Sequence, residues 1–163
     1  MLKRVFGLTV ATVFFAFQIF VNSAMALDLD AETRTVPLNE QGDTVTLSLE
    51  QATRGQRLFG DICAQCHPQG ITKTNPNVKL GLEDLALATP RRDNVEALVD
   101  YMKHPTTYDG ETDISELHPA TSSSDIFPEM RNLTDEDLFD IAGHILIQPK
   151  LRGVMWGGGK VYN

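Results

Sequence analysis

The chain has 163 residues, 14 of them basic and 22 acidic, a formal net charge of −8, and two cysteines. That length holds one domain and little more. The acidic balance argues against nucleic acid as a partner and is compatible with a basic protein partner or with simple solubility.

Lys3 and Arg4 give the N-terminus a short positive start, and residues 5–21 then run almost without polarity, broken by Thr9, Thr12 and Gln18. Ala24-Met25-Ala26 follows as an A-x-A cleavage pattern. Residues 1–26 are therefore expected to be a secretory signal cut after Ala26, leaving a domain over 27–163. The alternative is an uncleaved anchor, because the apolar run approaches the ~20 residues a membrane span needs. Removal of Lys3 and Arg4 with the signal would take the charge from −8 to −10.

Val36 and Leu38 alternate with polar neighbours, as do Val45 and Leu47, around the turn-rich Asn39-Glu40-Gln41-Gly42-Asp43. This pattern predicts a small β-hairpin over about 33–47. Ser48 with Gln51 forms a capping-box pattern, opening a helix that is expected to run through Leu58 and Phe59 towards Cys63. Gly55 lies on the same face as Phe59, where a glycine costs helix stability and permits close approach by another helix.

A short helical piece is expected near Leu82 to Leu87. Asp93 is the expected cap of a second main helix carrying Val95, Leu98, Val99 and Met102 in an i, i+3, i+4, i+7 stripe, ended by Pro105. Residues 106–131 have no period and predict a long loop, a feature that is usually functional or disordered. Thr134 and Asp137 cap a third helix with Leu138, Ile141, Ala142 and Ile145 on one face, which Pro149 is expected to stop. A glycine- and aromatic-containing tail closes the chain over about 150–163. There is no internal repeat and no low-complexity tract.

Both cysteines lie in Cys63-Ala64-Gln65-Cys66-His67. A disulfide across so short a loop would stabilise little. C-x-x-C-H is the attachment signature of c-type haem: the two thiols reach the two vinyl groups of one porphyrin, and the adjacent histidine lies beneath the iron. A thioredoxin-like pair would want a preceding strand in a βαβ unit, whereas a helix is expected here. A zinc site would want a second pair of soft ligands, and no other cysteine exists. Three helices with long loops make a thin core alone but can wrap a flat apolar cofactor.

The ligand on the other face of the iron matters, because methionine raises a haem's potential and a second histidine lowers it. Met102 belongs to the core stripe of its helix. His104 suits a helix C-terminus without any metal. His144 has the pattern of a partly buried helix histidine. His118 and Met130 both lie in the long loop, and spacing alone leaves both open.

The flanking residues identify a family. Besides 63–67, the stretches Ile-Thr-Lys-Thr-Asn-Pro (71–76), Asp-Asn-Val-Glu-Ala-Leu-Val-Asp-Tyr-Met-Lys (93–103) and Pro-Thr-Thr-Tyr-Asp-Gly (105–110) carry the likeness. So do Glu-Leu-His-Pro (116–119), Asp-Ile-Phe-Pro-Glu-Met-Arg-Asn-Leu-Thr (125–134), Ala-Gly-His-Ile-Leu (142–146) and Trp-Gly-Gly-Gly-Lys-Val-Tyr (156–162). Over nearly all of 33–163 the chain resembles the extrinsic low-potential cytochrome c of cyanobacterial and algal photosystem II, the PsbV family.

The resemblance implies a mainly α, class I-like cytochrome c fold around one covalent haem c, with the hairpin appended. It implies attachment through Cys63 and Cys66 and axial ligation by His67 and His118, leaving Met130 to pack. It further implies a non-enzymatic subunit, peripheral on the lumenal side of the thylakoid membrane, bound to the photosystem II core and other extrinsic lumenal subunits through its C-terminal tail. Its role there would be to support the manganese–calcium cluster and that cluster's calcium and chloride requirement. The terminal Asn163 departs from the aromatic ending the family leads one to expect. The competing functions are a diffusible electron carrier and a c-type peroxidase, the latter needing an open iron position that His118 would close. For His67, the Pro76 carbonyl is the expected acceptor of the imidazole N–H, the usual second partner of a ligating histidine.

Overall fold

The computed structural model describes residues 29–158. The expected signal, and residues 159–163 of the expected docking tail, lie outside them. No described helix is long and apolar enough to cross a membrane. The elements belong to the unit that begins at Ala31.

A single helical turn α1 (Ala31–Arg34) leads into an antiparallel hairpin of β1 (Thr35–Pro37) and β2 (Thr44–Thr46), with Val36 opposite Val45. The alternation delivers its result at two positions, Val36 and Leu47, which have no exposure at all. Helix α2 (Leu49–Leu58) opens on the expected capping box: the Ser48 N–H donates to Gln51 Oε1 at 2.9 Å and the Gln51 N–H to Ser48 Oγ at 3.1 Å. The expected continuous helix to Cys63 is not observed. The α-helix ends at Leu58, and Phe59–Cys63 winds on as a π-turn, with the Ala64 N–H donating to Phe59 O. Such i→i+5 turns widen the helix locally and recur at functional sites.

The short helix α3 (Leu82–Leu87) forms where expected. Helix α4 (Val95–Lys103) buries Val95, Leu98 and Met102, with Val99 half-buried at the stripe's edge. Its cap is Asn94 rather than Asp93: Asn94 Oδ1 accepts the Ala97 N–H at 2.9 Å, while Asp93 pairs with Arg91. An N-cap must stand one residue before the first helical φ/ψ, and Asn94, at φ −141° and ψ 164°, occupies that place. The segment 106–131 contains a bridge between Thr106 and Asp113 and two 3-10 turns, Thr121–Ser123 and Pro128–Met130.

Helix α5 (Asp135–Arg152) is the spine of the fold, capped by Thr134 and Asp137 as expected. It packs most extensively on α2 and next on α4, and the other side is covered by α1 and β1. Its burial consequently exceeds a single face, taking in Leu138 and every residue from 140 to 148. Two glycines permit these contacts. A Cβ on Gly55 would stand 2.0 Å from the Asp140 carbonyl oxygen, so α2 crosses α5 at backbone contact. A Cβ on Gly143 would stand 2.2 Å from Leu47, whose side chain fills that space. Pro149 does not stop α5, which runs one turn further to Gly153 at φ 53°. Proline removes one N–H and crowds the carbonyl four residues back, but the next turn is retained, with the Gly153 N–H donating to Pro149 O.

Candidate haem-binding site

The π-turn sets the spacing of the C-x-x-C-H segment. The N–H groups of Cys66 and His67 both donate to the Cys63 carbonyl, at 3.1 and 2.8 Å, so the segment closes into one compact turn with both cysteines beside His67. Both cysteines are free. Burial, and secondarily Cys66, push the Cys63 thiol up to about 12. A thiol so held is neutral at ordinary pH, the opposite of the low-pKa thiolate of a redox dithiol.

After the motif the chain turns back through Gln69, at φ 53°, and Gly70, at φ 81°. The Lys73 N–H donates to Cys66 O at 3.0 Å and the Leu80 N–H to Gly70 O at 2.8 Å. This brings Thr72 under His67, with Thr72 Oγ1 3.1 Å from His67 Nδ1. Pro76, the expected partner, is exposed, and the hydroxyl of Thr72, only 9 % exposed, occupies that place instead. The tight Gln69–Gly70 reversal returns residue 72 to the ring. Sequence reasoning missed Thr72, and no spacing rule could have supplied it.

The long loop returns His118 to the same place. The ring centroids of His67 and His118 stand 6.0 Å apart, inclined at 49°. His118 Nδ1 is 3.0 Å from the Pro119 carbonyl. A carbonyl can only accept, so this Nδ1 carries the proton and Nε2 keeps its lone pair. Burial first, then the neighbouring His67, lower His118 to about 4, against the Pro119 hydrogen bond. Burial also lowers His67, against a hydrogen bond with the Ile71 backbone. Both rings are thus neutral near pH 7, the form in which imidazole binds a metal.

These residues fit a haem iron. Metal–imidazole bonds of about 2.0 Å on either side, plus the radius of each ring, place two opposed centroids about 6 Å apart. Met102 and Met130 are buried at 7 % and 3 % exposure. His104 is exposed and pairs with Asp100 at 3.5 Å. His144 packs against Phe59 at 5.1 Å and edge-on to Trp156 at 6.2 Å.

Trp156, within the expected docking tail, is buried against the rest of the unit. Its Nε1–H donates to Leu80 O at 2.8 Å, and a Cβ on Gly70 would meet its indole at 2.7 Å. The C-terminal segment therefore braces the loop that follows the C-x-x-C-H turn.

A family model described as cytochrome c-550 domain matches residues 27–163. The photosystem II extrinsic protein V of Nostoc punctiforme is 64 % identical over 162 residues, 99 % of each chain. That of Acaryochloris marina is 66 % identical over 160 residues, 98 % of each chain. Among solved structures, cytochrome c549 superposes with a TM-score of 0.77 at 60 % identity, covering 78 % of this chain and 99 % of that one. The PsbV2 cytochrome of Thermosynechococcus elongatus does so at 0.63 and 36 % identity, covering 76 % and 87 %. These likenesses carry the class I-like cytochrome c fold with its added hairpin. By motif, fold and similarity along its whole length, the chain belongs to the cytochrome c-550 family.

Proposed function

We propose that this chain is a bis-histidine, low-potential monohaem cytochrome that serves as an extrinsic subunit of photosystem II on the lumenal side of the thylakoid membrane. Cys63 and Cys66 would hold one haem c through thioethers, and His67 and His118 would be its axial ligands. The observation that carries this reading is the pair of neutral imidazoles, 6.0 Å apart and each held at Nδ1. When bound, the haem supplies a one-electron ferric–ferrous couple, and two histidine donors set its potential low. The chain's own part is to orient both rings, exclude water from the ligand faces and leave no open iron position for a substrate. That is the basis for reading it as a non-enzymatic subunit.

The relatives named photosystem II extrinsic protein V support the assignment to that complex. In it the chain would brace the manganese–calcium cluster and sustain its calcium and chloride requirement, touching the core and other extrinsic subunits.

His118→Met is expected to raise the midpoint potential and change the near-infrared ligand band; an unchanged potential and band would eliminate His118. Ready carbon monoxide binding by the ferrous protein at neutral pH would overturn six-coordination and revive the peroxidase reading. The subunit role predicts that the protein stays with thylakoid membranes through gentle washing. It also predicts that depleted membranes need more calcium and chloride for oxygen evolution until the protein is restored. Finding most of it free would favour a diffusible carrier.

A further inference from the structure

Arg92 lies just before the Asn94 cap of α4 and is buried, at 5 % exposure. A cation in such a place is costly unless a carboxylate neutralises it. None does so here: no ion pair within 4.0 Å among the described residues includes Arg92. Its Nη2 donates to neutral groups only, Thr106 O and Oγ1 at 3.2 Å and Thr107 O at 2.7 Å, and its buried Nε–H has no partner. The guanidinium is nonetheless directed. Its Cζ stands 4.0 Å from the centroid of the Tyr101 ring, and that ring meets His118 edge-on at 5.1 Å and 64°. A fixed positive charge therefore lies within about 9 Å of the His118 ring, with an aromatic ring between them in place of water.

We propose that Arg92 is a charge-tuning residue of the distal side, whose buried guanidinium, paired with no side-chain carboxylate and stacked on the Tyr101 ring that meets His118, favours the reduced protein and holds its potential above the value two histidines alone would set. The inference rests on the reading of His118 as distal ligand. Reduction adds one electron and lowers the charge of the iron site by one, so a nearby fixed cation stabilises the reduced form. A unit charge roughly 12 Å from the iron, at an effective dielectric constant of about 20, changes the reduction equilibrium by about tenfold. For a one-electron couple that is about 59 mV. Because the guanidinium is buried, added salt should leave the effect in place.

Equilibrium redox titration of the haem-loaded wild type and of three variants tests this, with the near-infrared ligand band recorded for each. Arg92→Gln removes the charge and should lower the reduction equilibrium about tenfold. Arg92→Lys keeps the charge and should retain most of the wild-type potential. Thr106→Asp keeps Arg92 but sets a carboxylate beside it, and should lower the potential in the same direction as Arg92→Gln. If Lys and Gln shift the potential alike, Arg92 acts through packing alone and the proposal is overturned. An unchanged potential in Thr106→Asp overturns it as well, and that variant decides the matter even if Arg92→Gln fails to take up haem. A wild-type band other than bis-histidine would instead overturn the ligand assignment on which the inference rests.

Discussion

His144 sits one turn after Asp140 on α5, 7 % exposed, with Gln148 Nε2 3.4 Å from its Nδ1. Burial, and secondarily the Arg152 charge, lower it to about 4. The folded protein therefore keeps this ring neutral while the unfolded chain takes up a proton near pH 6.5, so stability rises with pH between about 4 and 6.5 and is lost on acidification through that window. The full contribution is at most about 3 kcal/mol. Asp140 has the opposite sign, because burial raises its carboxyl against the pull of Arg54. The His144 share is therefore read as a difference. In urea unfolding of the haem-loaded proteins, His144→Gln should lose about 1–3 kcal/mol less than wild type between pH 7 and pH 4.5. Thr72 is the corresponding device on the proximal side, since its hydroxyl orients His67. Thr72→Val should leave haem attachment intact and alter the ligand-field spectrum of the ferric protein; an unchanged spectrum would show that Ile71 alone holds the ring.

At the level of elements, helix crossings matter more than helix propensity. Replacing Gly55 by alanine would gain up to about 1 kcal/mol of intrinsic helix propensity. The added Cβ, however, would meet the Asp140 carbonyl at 2.0 Å, and backbone cannot move aside as a flexible side chain can. Overpacking at about 1–3 kcal/mol or more outweighs the gain, so Gly55→Ala should lower the melting temperature measured by circular dichroism. The cap of α4 separates two neighbours in the same way. Asn94→Ala should cost about 1 kcal/mol, since it removes the acceptor for the Ala97 N–H. Asp93→Ala should cost less, because its partner Arg91 is an exposed side chain and such ion pairs contribute little. Equal losses at the two positions would contradict the observed cap.

In the unit that begins at Ala31, the elements are organised on one long helix. Helix α5 holds α1, α2, α4 and β1 together, and Trp156 ties the C-terminal segment to the loop after His67. The two site histidines are half-buried, with ring centroids 6.0 Å apart, and in the haem-loaded protein proposed above the cofactor would add apolar contact in that region. Cys63→Ser with Cys66→Ser should therefore cost more than the 2–5 kcal/mol of a single core truncation. Thermal unfolding followed by circular dichroism would check this, and a melting temperature equal to wild type would mean that the protein shell is self-sufficient.

Local chemistry made much of this legible from sequence. The two capping boxes, the hairpin, the apolar stripe of α4 and the C-x-x-C-H segment each involve residues close to one another in the chain, and their interactions follow from chain geometry alone. The same locality exposed Gly55 as a crossing point, because a glycine inside an amphipathic helix has a local cost that needs a distant cause. What spacing could not decide was every pairing across long stretches of chain: the His118 ring 6.0 Å from that of His67, the Thr72 hydroxyl beside His67, Arg92 stacked on Tyr101, Trp156 turned inward, Leu47 filling the space at Gly143. These depend on where loops return, and loop paths are set by the sum of many small packing and hydrogen-bond terms rather than by any periodic signal. The sequence by itself determined the C-x-x-C-H segment and the main helices of the fold; only the tertiary structure decided which distant side chains come to lie beside that segment, because such neighbours are a property of the packed chain and not of any one segment.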